Sequence, residues 1–162
     1  MTVAILLASL GCSNPIEVKE RETAVLAVRA ISPPVARRFF FPPAAPQELW
    51  AVDFEVEIRE TRCVAANLTF VEIQVFEESF QINFGSFPFR YDQGELVRQG
   101  LGALPACGAG PIFRGTLGNM GGLGAVGPKG PVRVVVRAIG VDEHGHGIGI
   151  DTSVESALQV VQ

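Results

Sequence analysis

Between residues 52 and 59 apolar and polar side chains alternate without a miss. Val52, Phe54, Val56 and Ile58 fall on one side, and Asp53, Glu55, Glu57 and Arg59 on the other. Successive side chains leave a pleated backbone on opposite faces, so this repeat of two predicts a strand with one face buried. Residues 68–76 continue in the same vein with a slip of phase. Leu68 and Phe70 share a face, then Val71, Ile73 and Val75 take over, which predicts a bulge or a strand covered on both sides. Phe80, Ile82 and Phe84 alternate again, as do Phe87, Phe89 and Tyr91 after the Gly85-Ser86 break, and residues 23–31 read as an earlier strand. Near the end, Val132, Val134, Val136 and Ala138 alternate with Arg133, Val135, Arg137 and Ile139. A polar, glycine-bearing turn at 141–147 and a second run through Ile148, Ile150, Thr152 and Val154 toward Val160 complete a hairpin. No window of twelve residues carries a helical period. A short turn at 93–98 is the one exception expected.

Two stretches interrupt the alternation. Residues 32–46 hold five prolines around Arg37-Arg38-Phe39-Phe40-Phe41 and read as an irregular connector unable to pair in mid-sheet. Residues 100–131 hold eleven glycines and few apolar residues, and read as a long loop that is functional, mobile or pinned by a bridge at Cys107. The alternating glutamates, Glu55 and Glu57 among them, read as a solvated face.

Composition sharpens this picture. Of 162 residues 48% are apolar and 19% charged, enough for a core in a single domain over 23–162. The 18 Gly and 11 Pro suit turns between strands. The fold class expected is all-β, an antiparallel β-sandwich. A net charge of −4, with arginines scattered along the strands, leaves no basic footprint for nucleic acid.

The N-terminus has its own character. Residues 3–10 are a short apolar run ending at Gly11-Cys12, after which the chain turns polar at once with Ser13, Asn14 and Pro15. Eight such residues are too few for a bilayer span, which needs about 20, and suit a signal-peptide core. Residues 1–13 thus resemble a bacterial lipoprotein signal. The resemblance implies removal of residues 1–11, lipid on Cys12, a linker over 12–22, and a protein held by that lipid at the cell envelope. With Ser13 after the cysteine, the outer membrane is the implied site, on its periplasmic or surface side. Export leaves Cys63 and Cys107 as an even pair in an oxidising compartment. A bridge between them would stabilise the fold by about 4 kcal/mol through chain entropy.

Residues 134–160, with the core Val-Arg-Ala-Ile-Gly-Val-Asp-Glu-His-Gly, are similar to the last two strands of bacterial Ig-like or fibronectin-type domains. That resemblance implies an Ig-like form of the sandwich. The single tryptophan, Trp50, precedes both Cys63 and Cys107, so the bridge packed over a central tryptophan in antibody domains is not implied.

Few residues carry chemistry. His144 and His146 are the only histidines. On an extended strand a His-x-His pair shares one face and could hold Zn or Cu, with Asp142, Glu143 or Asp151 completing the set. Gly122, Gly124 and Gly127 match the letters of a dinucleotide fingerprint, but Pro128 and Pro131 follow where a helix must start, so no cofactor is expected. No nucleophile elbow or defined carboxylate pair is present, and no enzyme activity is expected. Arg37, Arg38, Phe39, Phe40 and Phe41 are the candidate partner contact, since arginine and aromatic residues anchor interfaces. The functional expectation is a lipid-anchored envelope protein with a non-enzymatic binding or structural role, its partner an envelope protein or polysaccharide. The alternative is a metal-binding envelope protein using the 142–151 hairpin.

Overall fold

The structure, a computed structural model, describes residues 22–40, 48–77, 82–119, 131–157 and 159–161. Its strands form two sheets packed face to face. One sheet holds β1 (Leu26–Ala30), β2 (Val35–Phe40), β3 (Glu48–Glu60), β7 (Ile112–Asn119) and β10 (Gln159–Val161). The other holds β4 (Ala66–Glu77), β5 (Ile82–Asp92), β6 (Ala103–Leu104), β8 (Val132–Asp142) and β9 (Gly147–Ser156). A single short helix among the described residues, α1 (Gln93–Gln99), follows β5 where the exception was expected. Asp92 caps its N-terminus by accepting from the Glu95 N–H at 2.8 Å, and Gly100, at φ 69°, ends it in the left-handed conformation.

The period-two pattern becomes the core. Val52, Phe54, Val56 and Ile58 of β3 face Val71, Ile73 and Val75 of β4 and Val132, Val134, Val136 and Ala138 of β8, all buried. Each such side chain taken from water contributes about 1.5–3 kcal/mol before entropy is counted. An aromatic chain crosses the layers. Phe54 meets Phe89 edge-on at 5.6 Å between ring centres, Phe89 stacks on Tyr91, and Tyr91 meets Phe113 at 5.3 Å. The slip of phase near residue 69 is a real irregularity: the β4–β8 register shifts between Leu68 and Phe70.

Three expectations are corrected. The proline-rich stretch is not an irregular connector throughout. Residues 35–40 form β2, antiparallel to β3 and parallel to β10. Pro33 and Pro34 lie just before the strand, so its six residues keep every N–H for the ladders. The glycine-rich stretch 100–131 is not one long loop either, since it contains β6 and β7. In β7 Phe113 and Leu117 point inward, and the inward slot between them is Gly115. A Cβ there would lie 2.9 Å from the rings of both Phe54 and Phe89. The glycine therefore makes room for aromatic packing while the strand alternates around it. Thirdly, the last alternating run breaks after Ser156. β9 pairs with β8, whereas β10 crosses to the opposite sheet and joins β2.

Strand directions define two ends. β1 leaves Glu60 of β3 behind it at its start, β4 begins and β8 finishes at this same end, and the 143–146 hairpin tip sits there too. β2 continues in the direction of β1, antiparallel to β3 from Asp53 to Glu48, toward the far end.

Candidate functional site

The buried polar groups gather at the end where residue 22 enters. Glu57, Glu60 and Asp142 are buried although their residue type favours water. A buried carboxylate is tolerated when its oxygens are hydrogen-bonded. Glu60 accepts from the backbone N–H groups of Val25 at 3.1 Å, Arg62 at 2.6 Å and Val64 at 3.1 Å, so it shapes the turn between β3 and β4 and holds the N-terminal segment. Burial pushes its pKa up, but these backbone donors outweigh burial and leave it below the usual value. Glu57 accepts from the Gly110 N–H at 2.9 Å and pairs with Arg29. Here too burial opposes ionisation, and the Gly110 N–H with Arg29 and Arg59 holds the carboxyl below its ordinary range. The expectation that Glu57 lies on a solvated face is thus wrong. The loop before β7 folds over it, a close approach that Gly110 allows and that no local sequence pattern announces.

Cys63 and Cys107 form a disulfide beside these groups, with Cα atoms 4.3 Å apart, and both residues are exposed. Cys63 ends the β3–β4 turn region and Cys107 lies between β6 and β7, so the bridge ties one sheet's exit to the other's return. Both adopt positive φ, 59° and 56°, a conformation L-residues rarely favour. An open depression of about 300 Å³ adjoins the bridge, lined by Arg59, Glu60, Thr61 and Gly108 as well as the two cysteines. Glu60 already gives its oxygens to the backbone there.

The hairpin tip is built on Asp142. Its Oδ1 accepts from the N–H groups of His144 at 2.9 Å and His146 at 2.8 Å, and its Oδ2 from Ala24 N–H at 3.3 Å. His146 Nδ1 lies 3.1 Å from the same Oδ2. Burial again raises the pKa, and these donors overcome it, holding Asp142 at about 2. Gly145, at φ 86°, supplies the left-handed step of the turn. The two histidines therefore lie in the turn expected over 141–147 and not on an extended strand, where a His-x-His pair would share one face. They sit in the turn itself, with ring centres 6.1 Å apart and planes at 71°. Among the described residues no group of three metal-ligating side chains comes together. Thr23 Oγ1 lies 3.5 Å from His146 Nδ1, the nitrogen already facing Asp142, and a nucleophilic triad instead carries its hydroxyl on Nε2.

The remaining candidates are spread elsewhere. Arg37 is exposed on β2 and pairs with Asp53. Arg38, Phe39 and Phe40 follow it in the strand, opposite Trp50, Leu49 and Glu48, and Phe41 lies outside the described residues. Cys12, the segments 1–11 and 12–21, and the glycines at 122, 124 and 127 also lie outside them. Sequence reasoning named Asp142 only as a metal ligand. Its position two and four residues before His144 and His146, with Gly145 between them, was the signal for a side chain closing its own turn.

No family model matches this chain, and no curated protein does. Among solved structures it is similar to a protein named as ApaA from Bordetella pertussis, at 16% identity and a TM-score of 0.47, over 85% of this chain and 96% of that one. It is also similar to a second structural-genomics target, at 10% identity and a TM-score of 0.46, over 83% of this chain and 86% of that one.

Proposed function

We propose that this chain is a cell-envelope protein, held by lipid on Cys12, whose sandwich serves a non-enzymatic binding or structural role. The observation that carries the reading is the Cys63–Cys107 bridge. An exposed bridge between loops persists in oxidising compartments and is rare where thiols are kept reduced. The strand order supports an Ig-like form of the sandwich. β3 and β7 share one sheet, β4, β8 and β9 the other, and they correspond in order to strands B, E, C, F and G of Ig-like domains. The strand after C stays on the C–F–G sheet, as in the variable type.

The direction of the chain supports a binding role away from the membrane. Nine residues lie between Cys12 and Glu22, a tether of at most about 35 Å. The end bearing the disulfide and the hairpin tip would face the bilayer, and β2 would carry Arg37, Arg38, Phe39 and Phe40 toward the end facing away. An envelope protein or a polysaccharide is the partner class this presentation suits.

The test is mass spectrometry of the protein recovered from membranes of a bacterial host. A mature chain beginning at Cys12 with added acyl mass is expected. An unprocessed chain beginning at Met1, recovered from the cytoplasm, would overturn the reading.

A further inference from the structure

We propose that the β8–β9 tip is a two-histidine site for one borderline divalent cation, Cu2+ or Zn2+, in which His144 and His146 ligate and Asp142 positions. This goes beyond the envelope reading and does not depend on it. An ionised carboxylate offers about four acceptor sites. Asp142 has three backbone donors around it, the N–H groups of Ala24, His144 and His146, and a fourth contact at 3.1 Å with His146 Nδ1. It has nothing left to give a metal. It does fix the neighbouring ring. A carboxylate that only accepts requires the proton on His146 Nδ1, and a neutral imidazole with its proton there carries its lone pair on Nε2. This is the carboxylate–histidine pairing that orients metal-binding imidazoles in metal centres.

His146 is 46% exposed at its side chain and His144 24%, so neither imidazole is shut inside the core. Their ring centres are 6.1 Å apart. Metal–nitrogen bonds of about 2.0–2.1 Å on one ion would put the two centres roughly 5–6 Å apart, a separation close to the one observed, with rotation of the rings bringing both Nε2 atoms onto the ion. The tip is held for this. Glu143 N–H donates to Ala65 O at 2.8 Å, Asp142 N–H to His146 O at 2.9 Å, and Gly145 N–H to Asp142 O at 3.0 Å. Glu143 Oε1, 4.0 Å from His144 Nε2, adds negative charge beside the cation. Water completes the shell, and imidazole ligands favour Cu2+ over Zn2+.

Calorimetric titration of CuCl2 and ZnCl2 into the full, disulfide-bonded protein tests the site. One ion per chain is expected, Cu2+ tighter than Zn2+, with affinity falling at least roughly tenfold in either His144→Ala or His146→Ala. A flat trace, or unchanged affinity in the variants, would overturn the site. Should His146→Ala unfold, His144→Ala alone decides, because Asp142 binds its backbone N–H and not its ring. Long-range 1H–15N spectra of the metal-free protein read the tautomer directly. A proton on His146 Nδ1 is expected, and a proton on Nε2 alone would remove the positioning role of Asp142.

Discussion

Replacing Gly110 with alanine would set a methyl group against the β3 backbone. The new Cβ would lie 1.8 Å from Ile58 O and 2.7 Å from its carbonyl carbon. Neither is the movable end of a side chain, so the loop must retreat by about 1.5 Å to reach ordinary contact. That movement would stretch the 2.9 Å bond from Gly110 N–H to Glu57 Oε1 past hydrogen-bond range, and with it the 3.2 Å bond from Ile58 N–H to Pro111 O. Losing a bond to a charged acceptor costs about 1.5–3 kcal/mol and losing a neutral one about 0.5–1.5, giving roughly 3 kcal/mol together. Glu57, only 1% exposed, has little water with which to replace its lost donor. Urea unfolding with the disulfide intact measures the loss, and Gly147→Ala serves as control. Gly147 has nothing within 4 Å of a new Cβ and no positive φ, so it tests the glycine-to-alanine change without clash or strain. A Gly110→Ala destabilisation no greater than that of Gly147→Ala would refute the claim that close approach over Glu57 shapes this loop.

Gly115→Ala, which would press a methyl between Phe54 and Phe89, is expected to destabilise by about 1–3 kcal/mol; an unchanged thermal midpoint would contradict the aromatic packing. Reducing the Cys63–Cys107 bridge, which spans a sequence separation of 44, should lower stability by about 4 kcal/mol by denaturant titration, with the β-sheet circular dichroism retained in buffer. Glu57 and Glu60 are held below their ordinary 4.5 in the folded chain. Their contribution is therefore full above pH 4.5 and is lost as pH falls further, so the urea midpoint should drop between pH 5 and 3 and drop less in Glu60→Gln.

Much of the fold is legible in the sequence because alternation reports burial on one face of a strand. β3 and β8 carry it without interruption, and both are core strands. β7 was hidden because its middle inward position is a glycine, and a missing side chain reads as a loop. β2 was hidden because prolines crowd its borders. The polar end of the sandwich was the least legible part. Glu57, Glu60 and Asp142 look like surface acids, since what buries them is chain far away in sequence: Gly110 for Glu57, Val25 for Glu60 and Ala24 for Asp142. Their partners are backbone N–H groups, which every residue type but proline supplies and which leave no mark in a sequence.

The bond between Cys63 and Cys107 closes one end of the sandwich and carries the proposal that the protein lives outside the reducing cytoplasm. Proteolytic mapping of the protein taken from bacterial envelopes, alkylated before any reduction, tests it most directly. A peptide pair linked through Cys63 and Cys107 is expected. Both cysteines found alkylated would contradict the sandwich's closure at this end and the compartment together.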